Sequence, residues 1–217
     1  MKRILDSVHG YINVDKDYCE HIIDTEHFQR LRRIEQTSTR AIFPSARHDR
    51  FIHSLGVAKM AEHLAKEFNV DPNKAIIAGL LHDYCKNDSK EYIESLLSEE
   101  DKLECKKFPV LYHSYGSAEY YLKYIGNDMD IYNAIRNHVF GRIGMSKLEE
   151  IILISDYTEE NRTYDDCIKV RKIVLEGKLN KAIYESTRFV VEYISQKGKT
   201  PHPVQLGVLK YYEGLSD

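Results

Sequence analysis

The sequence predicts an all-α fold, a helical bundle formed by a single domain. Only 5 prolines and 11 glycines interrupt its 217 residues. Apolar residues recur at helical spacing over long stretches. Capping residues and breakers fall between those stretches rather than inside them. An apolar content of 42 % excludes wholesale disorder, and the length suits one domain.

Residues 1–52 differ in character from the rest. His9-Gly10-Tyr11-Ile12-Asn13-Val14 alternates weakly and reads as a short strand or small hairpin. Residues 20–36 read as helix, and 41–50 as a loop rich in positive charge. A stretch of about 50 residues struggles to build a core alone. Residues 1–52 are therefore expected to be an N-terminal extension packed on a helical core of residues 53–217, the whole forming one domain.

The core elements follow in order. Residues 54–68 place Val57, Met60, Ala61, Leu64 and Phe68 on one stripe. Asp71 is an N-cap candidate with Pro72 at the first helical position, and that helix runs through Ala75, Ala78 and Gly79 to His82. Residues 114–125 and 129–140 read as an antiparallel pair broken at Gly126-Asn127. Ser146 and Glu149 have capping-box spacing and open a helix over 147–157. Residues 164–176, 180–196 and 204–213 complete the set, with Pro201 and Pro203 in the last gap.

Charge and composition exclude several classes of protein. Lys plus Arg is 31 and Asp plus Glu is 34, a net charge of −3, so no broad basic field exists to hold duplex nucleic acid. No apolar run approaches the roughly 20 residues of a membrane helix. Asp6 and Ser7 follow Leu5 at once, so no signal-peptide core forms and a cytoplasmic location is expected. Cys19, Cys85, Cys105 and Cys167 are scattered without a C-x-x-C pair, which suits reduced thiols.

The 10 histidines carry the chemistry. His53 shares a helical face with Val57, Met60 and Leu64, and His82 with Ala75, Ala78 and Gly79. Asp83 follows directly at the end of the apolar run 75–81. His138 follows Ile131, Ala134 and Ile135, and Asp156 follows Leu148 and Ile152, each at helical spacing. An inward-facing carboxylate needs a cation, because burying it unpaired costs several kcal/mol. A metal ion answers for the carboxylates and the histidines together, and bundle cores are a known place to build such sites. The other His-Asp pair, His48-Asp49, lies between Arg47 and Arg50 in a polar stretch and is not read as a ligand pair.

The order His53, then His82-Asp83, then Asp156 resembles the HD-domain phosphohydrolase superfamily. Residues 53–217 resemble bacterial HD hydrolases that split diadenosine tetraphosphate symmetrically into two ADP, through HSLGVAKMAEHLAKEFNVDPNKAIIAGLLHDYCK, YHSYGSAEYY, AIRNHVFGR, ISDYTEENR and GKTPHPVQL. Residues 9–56 resemble deoxynucleoside-triphosphate triphosphohydrolases, through HGYINV, IIDTEHFQRLRRIEQ and FPSARHDRFIHSLGV. The first resemblance adds His113 and His138 as ligands. Six side chains then suit two ions bridged by Asp83, divalent or mixed-valence, with iron or manganese favoured by imidazole and carboxylate donors without thiolate.

The same resemblance implies a catalytic role for Asp83 and for Lys86, which fits the pattern HD-x-x-K. Polyphosphate substrates call for further cations, and Lys86, Arg50, Arg142 and Arg162 are the substrate-binding candidates. Departures from the triphosphohydrolase pattern disfavour deoxynucleotide chemistry. Ile52 stands where those enzymes have Glu, Tyr84-Cys85-Lys86-Asn87-Asp88 lacks their further histidines, and Gln36-Thr37-Ser38-Thr39 replaces Gln-Leu-Gly-Gly. The expected activity is hydrolysis of a dinucleoside tetraphosphate, with deoxynucleoside triphosphates as the alternative substrate and a nucleotide- or metal-sensing module as the alternative class. The expected partner is a small nucleotide, with no duplex nucleic acid and no membrane; a homodimer is compatible with the sequence. Tyr84, Tyr115 and Tyr157 are candidates to stack on a base, and His9 and His48 to approach the site from the extension. His21, His27, His63 and His202 are expected to have other roles.

Overall fold

The computed structural model describes the backbone of residues 45–216 and the side chains from residue 53 onward. Among these residues the architecture is an all-α bundle with no strand. The expected hairpin near residues 9–14 and the helix at 20–36 lie outside the described residues. Helix α1 spans Ser45–Glu67. The expected charged loop over 41–50 is therefore helical from Ser45 on, and the expected border at residue 52 falls within α1. The reason is local: no proline or glycine stands between Pro44 and Gly56, and Arg, Ala and His are all compatible with a helix.

Asn69 ends α1 in the left-handed conformation with φ 57°, and the Val70 amide donates to the Ala65 carbonyl at 2.8 Å. Asparagine tolerates that backbone better than most residues, and the long bond satisfies a carbonyl of the last turn. The chain reverses into α2, Pro72–Leu81, whose cap is Asp71 accepting from the Asn73 amide at 2.8 Å. The two helices pack through small residues, with Ala58, Ala61, Ala65, Ala75 and Ala78 all fully buried. A Cβ at Gly79 would lie 2.8 Å from the Ala58 Cα. That close crossing brings the end of α2 against the middle of α1.

Two short helices follow that apolar periodicity does not reveal: α3, Lys90–Glu94, and α4, Glu99–Lys107. Their signals are caps and charge. Ser89 accepts from the Tyr92 amide and Ser98 from the Asp101 amide. Glu99, Glu100 and Asp101 open α4, and Lys106 and Lys107 close it, as the helix dipole favours. Only Cys105 of α4 is buried, so no apolar stripe exists to be read.

Helices α5, Leu111–Tyr124, and α6, Met129–Asn137, pack against each other. The central element is α7, Lys147–Thr158, which packs on α1, α2, α6 and two later helices, while Tyr212 of the last helix donates to Glu150. It buries Leu148, Ile151, Ile152 and Ile154. Its start is the expected capping box: Ser146 accepts from the Glu149 amide at 3.3 Å, and the Glu149 carboxylate accepts from the Ser146 amide at 2.7 Å. Helices α8, Asp165–Leu175, α9, Leu179–Gln196, and α10, Pro203–Glu213, close the bundle. No helix among the described residues is long and apolar enough to cross a membrane.

The α1–α2 crossing yields a prediction. Gly79→Val forces two backbones apart, and overpacking of this kind costs about 1–3 kcal/mol. Urea unfolding should show that loss. Unchanged stability would mean that the close approach at Gly79 does not hold the helices together.

Candidate metal centre

Five helices deliver the expected ligands to one place. His53 lies on α1, His113 near the start of α5 and Asp156 near the end of α7. His82 and His138 are the C-cap residues of α2 and α6, and each does the same thing. The His82 Nδ1 donates to the Gly79 carbonyl at 2.7 Å, and the His138 Nδ1 to the Ile135 carbonyl at 2.8 Å. Both carbonyls belong to a last helical turn, where backbone acceptors lack helical partners. The bond places the imidazole proton on Nδ1 and leaves the Nε2 lone pair directed into the centre.

The Nε2 atoms of His82 and His53 are 3.3 Å apart, and those of His113 and His138 are 3.2 Å apart. Asp83 stands between the two pairs. Its Oδ1 is 3.1 Å from the His113 Nε2 and 3.7 Å from the His138 Nε2, while its Oδ2 is 3.8 Å from the His82 Nε2. The Asp156 Oδ1 is 3.0 Å from the His53 Nε2 and 3.8 Å from the His82 Nε2. His82, Asp83, His113 and His138 are buried, and Asp156 is partly exposed.

Charge in this cluster follows from burial and contact. Burial pushes His82 and His113 down to about 4, so both are neutral at pH 7. Burial also works against a charged His53, but its hydrogen bonds to Asp156 and Glu159 outweigh it and raise the imidazole to about 9. Burial opposes ionisation of Asp83, yet the imidazoles of His82, His113 and His138 hold its carboxyl well below the usual range. Asp156 is likewise held down against its burial, by His53 first.

The donor set fits divalent ions. His53, His82 and Asp83 offer ligand atoms within 4.8 Å of one another, as do Asp83, His113 and His138, and as do His82, His138 and Asp156. These are nitrogen and oxygen donors with no thiolate, a set that takes iron, manganese or zinc. A cation already stands among one group: the Lys86 ammonium is 2.9 Å from the His113 Nε2 and 3.2 Å from the Asp83 Oδ1.

The other cationic candidates fall in different places. Arg162 binds Asp156 through Oδ1 at 2.9 Å and through its carbonyl at 3.2 Å. Arg142 is turned onto Glu149, with two bonds of 2.7 Å, and reinforces the α7 capping box. The Arg50 side chain lies outside the described residues, as do His9, His21, His27 and His48. Tyr84 packs on Tyr120, and the Arg136 guanidinium covers the Tyr115 ring at 3.7 Å. His63 is exposed beside Glu67, and His202 caps α10 and binds Glu104.

Sequence reasoning missed Glu159. Its Oε1 accepts from the His53 Nδ1 at 3.2 Å, completing a carboxylate–imidazole pair behind the Nε2 that faces the centre. Its Oε2 accepts from the backbone and side-chain nitrogens of Asn161. Gly56 makes room for it, since a methyl group there would run into that carboxylate. Arg171 holds the strand of chain that carries Glu159 and Arg162, donating to the carbonyls of Thr158, Glu159 and Arg162. The signal was present in the spacing: Glu159 follows Asp156 by three, and Gly56 follows His53 by three.

A family model described as the HD domain matches residues 50–173, more than half of the chain, and the chain belongs to that family. It is an HD-type phosphohydrolase with an all-α bundle fold. It is 35 % identical over 158 residues to a symmetrical bis(5'-nucleosyl)-tetraphosphatase of Bacillus subtilis, covering 71 % of this chain and 84 % of that protein. It is 42 % identical over 93 residues to a deoxynucleoside triphosphate triphosphohydrolase SAMHD1 homolog of Dictyostelium discoideum, covering 38 % of this chain and 18 % of that one. A crystal structure of an HD superfamily hydrolase from Clostridium acetobutylicum, described as involved in NAD metabolism, superposes with a TM-score of 0.72. That match has 31 % identity and covers 87 % of this chain and 97 % of that one.

The protonated His53 makes metal binding depend on pH. Below about 9 the imidazole holds a proton that an incoming ion must displace. Raising the pH removes that competitor, so manganese affinity should climb by up to about tenfold per pH unit from pH 7 and level off near pH 9. Titration with buffered manganese checks this, and a flat affinity from pH 7 to 8.5 would contradict it. Glu159→Gln should weaken metal binding by roughly 10- to 100-fold without unfolding the chain. It should also move the pH step downward, because His53 loses one of the bonds that raise it. Unaltered affinity and an unmoved step would leave Glu159 with no part in holding His53.

Proposed function

We propose that this phosphohydrolase cleaves a dinucleoside tetraphosphate symmetrically into two nucleoside diphosphates, using two divalent ions held by His53, His82, Asp83, His113, His138 and Asp156. The observation that carries the reading is the position of Asp83. Its two oxygens face different histidines, and the groups His53–His82–Asp83 and Asp83–His113–His138 share that residue alone. Iron or manganese suits the donors. Such ions, when bound, supply Lewis-acid activation of a water molecule and neutralise charge developing on the phosphoryl group.

The chain's own residues do the rest. His82 and His138 are held in one tautomer by their helix carbonyls, so their donor atoms need no reorganisation. Lys86, whose ammonium stands at Asp83 and His113, would be in reach of a phosphate oxygen when those two residues hold an ion. Arg162, anchored on Asp156, presents a second cation on the side of His53 and His82. A nucleoside diphosphate is a stable anion as a leaving group, and cations beside it meet its charge. That chemistry does not require the extra histidines absent after Asp83. The 35 % identity to a named tetraphosphatase over most of both chains supports this substrate. The cytoplasmic location also belongs to this reading, and it agrees with Cys85, Cys105 and Cys167 being buried free thiols. The shorter match to a triphosphohydrolase homolog supports deoxynucleoside triphosphates as the second reading.

Incubating manganese- or iron-loaded protein with diadenosine tetraphosphate and with dATP, then resolving the products, separates these readings. ADP as the sole product supports the proposal. Deoxyadenosine with tripolyphosphate favours the second reading, and no product from either would reject both. Asp83→Asn should lower turnover by roughly a hundredfold or more, beyond what loss of an outer contact causes. Turnover near the parent level would exclude a shared-ligand role for Asp83.

A further inference from the structure

A cavity of about 130 Å³ opens beside the metal centre, between the end of α6, α7, α9 and α10. His138 and Asp156 line it, so it shares two residues with the centre. Its other side chains are uncharged. Phe140 and Leu153 give apolar walls, and Thr187 and Gln205 add polar groups. Both of these residues are buried, at 7 % and 4 % exposure. Among the described residues neither the Thr187 hydroxyl nor the Gln205 side-chain nitrogen has a hydrogen-bond partner, and both residues line the cavity.

The walls are fixed in advance. The Phe140 ring stacks on His202 with centroids 4.5 Å apart and planes at 22°. His202 is itself held by Glu104 at 3.0 Å. The Gln205 Oε1 accepts from the His202 amide in the α10 capping box, which orients the amide nitrogen. Preorganisation of this kind lowers the entropic cost of binding.

We infer that this cavity receives the nucleobase of the nucleotide whose phosphates lie on the metal centre. The inference rests on the proposed nucleotide reading and gives it a subsite. The lining favours a neutral group over a phosphate, because its own side chains include no lysine or arginine and any cation stands only at the edge formed by His138 and Asp156. It favours a neutral, flat, partly apolar group with hydrogen-bonding edges, next to an anion-binding site. A heteroaromatic base joined to a phosphate chain has that combination. Phe140 and Leu153 meet its faces, and Thr187 and Gln205 meet its polar edge.

The test compares AMP with ribose 5-phosphate, which carries a hydroxyl in place of the base, on manganese-loaded protein by calorimetry. The parent should bind AMP at least about tenfold more tightly, as a stacked base contributes. Val190→Trp, at a partly exposed residue of the lining, should bring AMP to within about threefold of ribose 5-phosphate while the affinity for ribose 5-phosphate and the metal content stay unchanged. Thr187→Val, nearly isosteric, should reduce the advantage of AMP by about three- to tenfold. Equal binding of the two ligands by the parent would overturn the inference. So would an AMP advantage that survives both variants. If Val190→Trp does not fold, Thr187→Val and Gln205→Glu decide, the latter keeping the capping oxygen. Failure of the tetraphosphate reading would appear separately, as absence of ADP in the product assay, and leaves these affinities measurable.

Discussion

The Asp83 carboxylate sits inside a helical bundle, and the site is organised around the positive charge it requires. A buried carboxylate without a cation is among the most destabilising groups a fold can carry. Lys86 meets that need on one side, at 3.2 Å, and the imidazoles surround the rest. The helices are placed accordingly. Small residues let α1 and α2 approach closely enough for the His53 and His82 nitrogens to lie 3.3 Å apart. The C-termini of α2 and α6 point at the same spot, each presenting an imidazole tied to its own last turn.

Behind the inner residues lies a second layer that fixes their direction. Backbone carbonyls serve His82 and His138, while His53 depends on a carboxylate from a different helix end. That carboxylate needs the space left by Gly56, the two nitrogens of Asn161 and a backbone clamped by Arg171. Raising the His53 imidazole to about 9 is one result of this layer. The proton it holds without metal is the one an ion must remove. The same end of α7 carries Asp156, which joins the metal centre to the neighbouring cavity, so ion and ligand positions are linked by one turn of helix.

Much of this was legible in the sequence because burial leaves periodic marks. His53, His82, His138 and Asp156 each end or interrupt an apolar stripe, and Ser146 with Glu149 marks the start of α7 as the capping box observed. His113 has no such mark and came from family resemblance alone. Helices α3 and α4 left caps and charge but no apolar stripe, since α4 buries only Cys105. Ser45–Arg50 reads as a loop by its charge, although its backbone is helical and arginine is a good helix former. Arg142 follows His138 closely in sequence but turns to Glu149, because a half-exposed guanidinium finds the nearest buried carboxylate. Glu159 and the cavity depend on how α1, α7, α9 and α10 meet, and no local pattern encodes such a meeting.

The central claim is that Asp83 lies between two ions. Anomalous diffraction at the manganese edge, from crystals grown with manganese, tests it most directly. The account predicts two peaks roughly 3.5–4 Å apart, the spacing of paired catalytic metals, with one Asp83 oxygen turned to each. His53 and His82 should flank one peak, and His113 and His138 should stand beside the other. A single peak, or two peaks of which Asp83 contacts only one, would contradict it.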